Sequence, residues 1–421
     1  MQDFHYRNNE LHCGDLAVTT VAQSVQTPFY LYSKRAIADN FRAFDSALAG
    51  LDHLICYALK ANSNDAILTL LSSLGAGADV VSGGEIYLAL KNGFGPGKIV
   101  FAGVGKTDEE IKYALEQDIL SFNVESKQEL GVLNEISGRL NKRARVELRI
   151  NPNIDIHGHP YISTGKSENK FGVDLDSIPA LMASLKAMQH VDLVGLHCHT
   201  GSQIMNSAPY LATIKVLSAL KETFKADGIE LTSIDIGGGI GVQYENVLTA
   251  DPPGRSDPFD ADAPDRILNP LVPELAKLNC KVIFEPGRAL VANTGILVSR
   301  VLFTKETRGK HFIVVDSGMT ELIRPSLYNA YHDIVPLKQH NGEVIRADVV
   351  GPICESGDFL AKERALPRLE RGDLIAVMTT GAYGFSLSSN YNARPRPAEV
   401  LVDGKEFDIV RERGKVRNLW T

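Results

Sequence analysis

The alternation of short apolar runs with helical segments constrains the fold of this 421-residue chain more than any other feature. The apolar runs lie at residues 54–59, 78–81, 98–102, 119–124, 145–150, 192–197, 233–236 and 281–284. Ahead of the first run, Ile37, Phe41, Phe44 and Leu48 follow helical spacing. Eight strands alternating with helices predict a parallel (β/α)8 TIM barrel, with an open doubly wound sheet as the alternative.

After about residue 290 the pattern changes to strand-like runs without intervening helices. They occupy residues 295–303, 311–315, 343–350, 374–379 and 399–402, and Asp403-Gly404 is a hairpin signal. Residues 1–27 lack helical periodicity and are expected to add a strand to this second domain. We therefore predict an α/β plus all-β protein: a barrel over residues 28–290, and a β domain of sandwich or Greek-key type from residues 1–27 plus 291–421.

The composition is that of an ordinary globular protein, 44% hydrophobic and 23% charged, with a net charge of -7. Acidic and basic residues are interleaved, so a small molecule is favoured as partner over nucleic acid or a membrane. Five scattered cysteines without a Cys-x-x-Cys pair argue against a disulfide framework and a zinc ribbon. No secretory signal and no run of eighteen apolar residues is found, so we expect a cytoplasmic protein.

Two long polar loops interrupt the alternation. Residues 151–172 follow the fifth predicted strand, at the expected active-site face, where a loop can serve as a lid. Residues 251–264 are rich in Pro and Asp, and we expect a solvated surface insertion there.

Lys60 is a lone cation that closes the first apolar run. Desolvation disfavours an ammonium group, so a lysine placed there can present a free amine that condenses with a carbonyl compound such as pyridoxal phosphate (PLP). On this segment alone, a strand-end lysine that extends into water is the plainer alternative.

Residues that can take part in catalysis or binding follow four of the predicted strands, at the end where a barrel has its active site. They are Lys60, residues 197–202, residues 237–239 and residues 285–288. Backbone N–H groups of the glycine triplet 237–239, with Arg288, can bind a phosphate, although such a triplet is also an ordinary tight turn. Glu285 is either a solvated carboxylate or a group that keeps a pyridine nitrogen protonated.

His197 and His199 alternate along a strand and face the same way, which permits a metal site. No matching carboxylate is evident from the pattern, so no metal is predicted. An imidazole can instead stack on an aromatic cofactor, and His197 can equally be a hydrogen-bonded core residue. In the β domain, residues 324–328, 354–358 and 381–384 form polar or aromatic clusters that pattern alone assigns to loops.

Several segments together resemble the diaminopimelate decarboxylases, which belong to the barrel-type (fold type III) PLP-dependent decarboxylases. These segments are residues 57–62, 197–203, 237–239, 285–288, 354–358 and 383–384, in family order from about residue 28 to 400. Residues 159–165 and 324–328 favour this family over its relatives. Thr200 is a departure, because an aliphatic residue is expected there.

The resemblance implies PLP as cofactor, with Lys60 bonded to it covalently, His199 stacked on its ring and Glu285 at its pyridine nitrogen. The cofactor-binding residues that it implies are Lys60, His199, Ser202, Gly238, Gly239, Glu285, Gly287, Arg288 and Tyr383.

The implied substrate-binding residues are Arg288, Arg324, Tyr328, Glu355 and Tyr383. Of these, Arg288, Arg324 and Tyr328 would bind a distal carboxylate, and Glu355 a distal ammonium. The catalytic residues would be Lys60 and Cys354, the acid that protonates the carbon after CO2 leaves. In this family Cys354 and Glu355 would reach the cofactor of the neighbouring subunit, which implies a homodimer with shared sites.

The implied reaction is decarboxylation of meso-2,6-diaminopimelate to L-lysine and CO2, the last step of lysine synthesis. A decarboxylase for ornithine, lysine or arginine is the nearest alternative, but Arg324 would repel a cationic tail. An amino-acid racemase is disfavoured by Glu285, because such enzymes place a cation at the pyridine nitrogen. A non-catalytic binding homologue would lose the lysine and the acid, whereas this chain keeps Lys60 and Cys354.

Overall fold

The computed structural model describes residues 3–152, 154, 170–248, 264–339 and 342–418, and it divides into two compact units. One unit comprises residues 41–241 and 262–289, and the other residues 1–40, 242–261 and 290–421. The division differs from the predicted boundaries at residue 28 because strand Phe29–Ser33 pairs with Gly295–Thr307 and Ala398–Asp403 in the β unit. It differs also at residue 242, where the chain joins the β unit before the last barrel strand.

The first unit is a closed barrel of eight parallel strands, which confirms the predicted (β/α)8 fold and rules out the open sheet. The strands are His53–Ala58, Gly77–Val80, Ile99–Phe101, Ser121–Val124, Ala144–Asn151, Val191–His197, Ser233–Asp235 and Lys281–Phe284. The eighth strand pairs with the first, at Phe284 and Ile55, and so closes the barrel. A short strand, Val173–Asp174, pairs with the fifth from outside the closed ring.

Helices connect these strands, and polar caps set where several of them begin. They are Asp65–Ser73, Gly83–Lys91, Asp108–Gln117, Lys127–Arg139, Ile178–Leu185, Ala208–Ala226, Asp265–Leu268 and Val272–Ala276. Thr107 and Glu110 form a capping box, and Asn64, Ser82 and Ser126 accept from backbone N–H groups of three other first turns. No helix in the described part of the chain is both long and apolar enough to cross a lipid bilayer.

Helix Lys34–Ala47 precedes the first barrel strand. Ile37, Phe41, Phe44 and Leu48 are all buried, as their helical spacing predicts. Phe44 packs edge-on against Phe284 of the eighth strand, with ring centroids 5.7 Å apart.

The second unit is mostly β, as predicted for the separate C-terminal domain. Its strands are Phe4–Arg7, Glu10–Cys13, Leu16–Ala17, Phe29–Ser33, Gly295–Thr307, Lys310–Val315, Ile334–Pro336, Val344–Val350, Phe359–Pro367, Leu374–Val377, Ala398–Asp403 and Glu406–Arg411. The hairpin predicted at Asp403-Gly404 joins the last two strands, and Gly404 has the positive φ (65°) that a tight turn requires. Among the described residues, the α-helices Val18–Ser24 and Arg324–Tyr328 lie wholly within this unit.

The first three strands form a sheet of their own. Phe4, Leu11 and Val21 share a buried core with Leu31 and Val400 of the large sheet. The N-terminal residues therefore contribute three short strands to the β unit.

Candidate active site

Lys60 lies on a 3-10 turn, Leu59–Ala61, at the carboxyl end of the first barrel strand. Its Nζ donates to Oδ2 of Asp79, at 2.8 Å, and Asp79 is fully buried whereas the Lys60 side chain is 38% exposed. Burial, and then the charge of Glu285, raises the pKa of Asp79. A carboxylate with a raised pKa can accept the lysine's proton, which leaves the neutral amine that condenses with a carbonyl.

Glu285 lies directly after the eighth strand and is buried, so it is not a solvated carboxylate. Its Oε1 accepts from Nδ2 of Asn123 at 2.9 Å, and its Oε2 lies 3.2 Å from Nε2 of His197. Burial alone would raise the pKa of Glu285, but interactions with His197, and then with Lys60 and His199, lower it below its usual value. Glu285 is therefore an oriented, ionised group inside the barrel.

Two further acids, Glu147 and Asp235, are buried in the barrel. Ser233 donates to Oε1 of Glu147 at 2.5 Å, and the N–H of Gly237 donates to Oδ1 of Asp235 at 2.7 Å. Burial raises the pKa of Glu147 to about 8, and it raises that of Asp235 well above its usual value. The raised pKa values of Glu147 and Asp235 favour their neutral forms, and a neutral neighbour does not repel the negative charge of Glu285.

The sequence pattern missed four of these polar residues. They are buried in barrel strands that the sequence analysis treated as apolar runs: Asp79, Asn123, Glu147 and Asp235. The signal that singled out Lys60, a polar residue where burial is expected, applies to all four. Contrary to the expectation for His197, carboxylates do lie beside it: atoms of His197, Asp235 and Glu285 are within 4.8 Å of one another.

The raised pKa of Glu147 predicts a pH-dependent gain in stability for Glu147→Gln. The folded protein binds this proton more tightly than the unfolded chain, so the stability it contributes is complete below about pH 4.5 and is lost as pH rises through about 8. Glutamine keeps the acceptor for Ser233 and cannot ionise. The melting temperature of the variant, relative to the parent, should therefore rise between these pH values, by the equivalent of a few kcal/mol.

Thermal melts of Glu147→Gln and the parent across this pH range measure the effect. Glu230→Gln, at an exposed glutamate, is the matched control, and its offset from the parent should stay flat. An equally flat offset for Glu147→Gln would show that Glu147 is ionised in the folded protein.

The ring of His199 is held in one neutral form. The N–H of Gly238 donates to its Nδ1 at 3.2 Å, so Nδ1 is the acceptor nitrogen. Burial, and then the charges of Arg149 and Lys60, lowers the pKa of His199 well below its usual value. A neutral imidazole can lie against a cationic pyridinium ring without charge repulsion.

The glycine triplet has no room for side chains. A Cβ on Gly238 would lie 2.2 Å from the carbonyl oxygen of Glu285, and one on Gly239, where φ is 94°, would lie 2.0 Å from that of Gly201. Tyr210 donates to the carbonyl oxygen of Gly238 at 2.9 Å. Only glycine allows the backbone to pass this closely, and such a turn can present N–H groups to an anion.

Arg288 and Gly287 complete this end of the barrel. Nη2 of Arg288 donates to Oγ of Ser202 at 3.2 Å, so these two predicted phosphate ligands lie together. A Cβ on Gly287 would lie 2.9 Å from Cβ of Ala61, which places the loop after the eighth strand against the turn that carries Lys60.

These residues fit the chemistry of PLP. A lysine amine, a neutral imidazole, an ionised buried carboxylate and a glycine turn with an arginine lie at one end of the same barrel. The amine can bond to the aldehyde, the carboxylate can face the pyridine nitrogen, and the turn with Arg288 can bind the phosphate.

The other five predicted site residues lie in the β unit. Cys354 and Glu355 are exposed, and Oε1 of Glu355 accepts from Oη of Tyr391 at 2.6 Å. Their loop is held by the buried Asp358, whose two carboxylate oxygens accept from backbone N–H groups at 2.6 Å each. Tyr383 has a φ of 57°, a strained backbone for a non-glycine residue of a kind that concentrates at functional sites.

Arg324 begins the helix Arg324–Tyr328 and is buried, whereas Tyr328 is partly exposed at its end. Residues 159–165, most of the loop 151–172 and nearly all of the loop 251–264 lie outside the described residues.

Comparison with known proteins agrees with this chemistry. The pyridoxal-dependent decarboxylase family, through its pyridoxal binding domain, matches residues 34–292. Diaminopimelate decarboxylase of Aquifex aeolicus is 46% identical, over 97% of this chain and 94% of the relative. The enzyme of Vibrio cholerae serotype O1 is 44% identical, over 100% and 98%.

A solved structure extends the likeness to three dimensions. The crystal structure of diaminopimelate decarboxylase from Helicobacter pylori, complexed with L-lysine, matches with a TM-score of 0.87 and 42% identity, over 96% of this chain and 98% of that one. Both the barrel chemistry and the full-length similarity confirm the resemblance seen in the sequence. The chain therefore belongs to the diaminopimelate decarboxylase family of PLP-dependent decarboxylases.

Proposed function

We propose that this protein is a PLP-dependent carboxy-lyase that converts meso-2,6-diaminopimelate into L-lysine and CO2, the last step of lysine synthesis. The observation that carries this proposal is the ionised, buried Glu285 at the barrel end that holds Lys60. A carboxylate there favours loss of CO2 over racemisation, because it sustains the protonated pyridine ring. The full-length relatives supply the substrate.

PLP, when bound, supplies an electron sink for the electron pair that CO2 leaves behind. Lys60 would hold the cofactor through its amine. Glu285 would keep the pyridine nitrogen protonated, while Ser202, Arg288 and the glycine turn would bind the phosphate. His199 supports the ring as a neutral imidazole.

We assign recognition of the distal end of the substrate to residues of the β unit together with Arg288 of the barrel unit. Arg324 is a buried guanidinium, and with Tyr328 and Arg288 it binds the distal carboxylate. Glu355 would bind the distal ammonium, and the family resemblance assigns Tyr383 to cofactor and substrate binding. A substrate with a cationic tail and no second carboxylate would leave this arginine without its counter-charge.

We further propose a cytoplasmic homodimer with shared active sites, in which the β domain supplies substrate-binding and interface residues. Cys354 and Glu355 lie on an exposed loop of the single chain, where an acid for carbon protonation would stand in water. Burial of this loop against a second subunit would give Cys354 the water-excluded site that proton delivery to carbon requires.

CO2 release by purified, PLP-loaded protein tests the function. The substrates are meso-diaminopimelate, L-ornithine, L-lysine and L-arginine, offered separately, and L-lysine is assayed as product of the first. We expect turnover with meso-diaminopimelate alone. Preference for one of the three monocarboxylates would overturn the role of Arg324, and no turnover with any substrate would indicate a binding protein.

A further inference from the structure

Three side chains of the β unit, Arg324, Tyr244 and His332, form one cluster, which we call the Arg324 cluster. Nη1 of Arg324 donates to Oη of Tyr244 at 3.0 Å and lies 3.0 Å from Nε2 of His332. The guanidinium carbon is 4.8 Å from the centroid of the Tyr244 ring. The rings of Tyr244 and His332 meet edge-on, with centroids 5.0 Å apart.

The protonation state of His332 follows from its two neighbours. Its Nδ1 lies 2.8 Å from the carbonyl oxygen of Met378, which can only accept, so Nδ1 carries the hydrogen. Its Nε2 faces the guanidinium of Arg324, which can only donate, so Nε2 carries none. His332 is fully buried, and it is therefore a neutral acceptor aimed at Arg324.

The segments that carry Tyr244 and His332 are tied together. The N–H of Val247 donates to Oδ2 of Asp333 at 2.9 Å, and Oδ1 of Asp333 accepts from Tyr331 at 2.9 Å. The two acceptors thus reach Arg324 from a common support, although they lie far apart in the sequence.

The two acceptors determine the orientation of the Arg324 guanidinium. Nη1 has two hydrogens, and two acceptors in different directions use both, which sets the plane of the guanidinium. Neither of these two acceptors is anionic, so neither neutralises the charge of Arg324. A carboxylate that binds arginine through two parallel hydrogen bonds depends on this plane.

We propose that His332 and Tyr244 are positioning residues that fix the guanidinium of Arg324 for a substrate carboxylate and so set the preference for a diamino dicarboxylic acid. This inference rests on the proposed function, in which Arg324 binds the distal carboxylate. The product L-lysine keeps that carboxylate, whereas 1,5-diaminopentane has both amines and no carboxylate. Binding of these two ligands therefore reports on the Arg324 cluster without turnover.

The test compares His332→Asn with His332→Gln. Asparagine can keep the hydrogen bond to Met378 but is too short to accept from Arg324, whereas the glutamine carbonyl can reach the position of Nε2. For His332→Asn we expect L-lysine to bind about tenfold more weakly and KM for meso-diaminopimelate to rise similarly, with kcat within about threefold. His332→Gln should restore most of the affinity, and 1,5-diaminopentane should bind all variants alike.

Tyr244→Phe is the second probe, because it removes the hydroxyl acceptor and keeps the ring. We expect L-lysine affinity to fall about threefold, with thermal melts close to the parent. Equal losses for both ligands, or equal effects of His332→Asn and His332→Gln, would overturn the positioning role. Arg324→Met distinguishes failure of the proposed function from failure of the present inference. If Arg324→Met leaves the affinity for L-lysine unchanged, the proposed role of Arg324 is wrong. If Arg324→Met weakens L-lysine binding and the His332 and Tyr244 variants do not, only the present inference is wrong.

Discussion

Replacing Lys60 with alanine should abolish the visible absorbance of the PLP-loaded protein and lower turnover at least about 10³-fold, the scale on which loss of a covalent catalytic group is felt. The amine on the turn Leu59–Ala61 is held by Asp79 at 2.8 Å, and alanine removes both the amine and the ion pair. Absorbance spectra with added PLP, together with CO2 release from meso-diaminopimelate, measure the result.

Lys60→Arg is the matched control, because it keeps a cation beside Asp79 without an amine that condenses with an aldehyde. It should lose the absorbance as fully as Lys60→Ala while its thermal melt stays closer to the parent. If either variant keeps the parent spectrum, another amine carries the cofactor and the assignment of Lys60 is wrong.

Replacing Cys354 with alanine should lower kcat by about 10² to 10⁴, the usual contribution of a general acid, with little change in KM. Cys354 is exposed and its backbone N–H donates to Asn392 at 3.1 Å, a bond that alanine keeps. Steady-state kinetics with meso-diaminopimelate measure the change. Cys280→Ala, at a cysteine assigned no role, is the control and should keep the parent kcat.

If each active site combines residues of two subunits, a mixture of two inactive variants should regain activity. Mixing Lys60→Ala with Cys354→Ala should restore about a quarter of the parent activity, because half of randomly formed dimers are mixed and each mixed dimer has one intact site of two. To check that subunits exchange, one variant carries a tag that changes its size, and size-exclusion chromatography then detects the mixed dimers. Mixed dimers without regained activity would place Lys60 and Cys354 of one site on the same subunit.

Much of the fold follows from local sequence pattern. All eight predicted barrel runs coincide with strands, and the apolar face of helix Lys34–Ala47 is buried as its spacing requires. In the β unit, the strands that were not predicted include Phe29–Ser33, Ile334–Pro336 and Phe359–Pro367. Ile334–Pro336 is three residues long and Phe359–Pro367 alternates weakly, so neither has a period that can be read alone.

The residues of the candidate site also divide into those that local sequence pattern identified and those that it did not. Lys60 and the glycine triplet were identifiable because a cation in an apolar run and three successive glycines are local anomalies. Four buried residues, Asp79, Asn123, Glu147 and Asp235, were overlooked because a polar residue in a strand carries no local sign of the residue that it contacts in the folded protein. His197 and Glu285, which lie 88 residues apart, are in contact only because strands six to eight pack together in the barrel.

Local sequence pattern was enough to predict the order of strands and helices, the barrel, and the residues whose type is unusual for their position, because periodicity and backbone freedom act over a few residues. Tertiary packing set which buried acids have raised pKa values, which tautomer His199 and His332 adopt, and how Arg324 is oriented. Burial and long-range hydrogen bonds set these properties, and both exist only after distant segments have packed together.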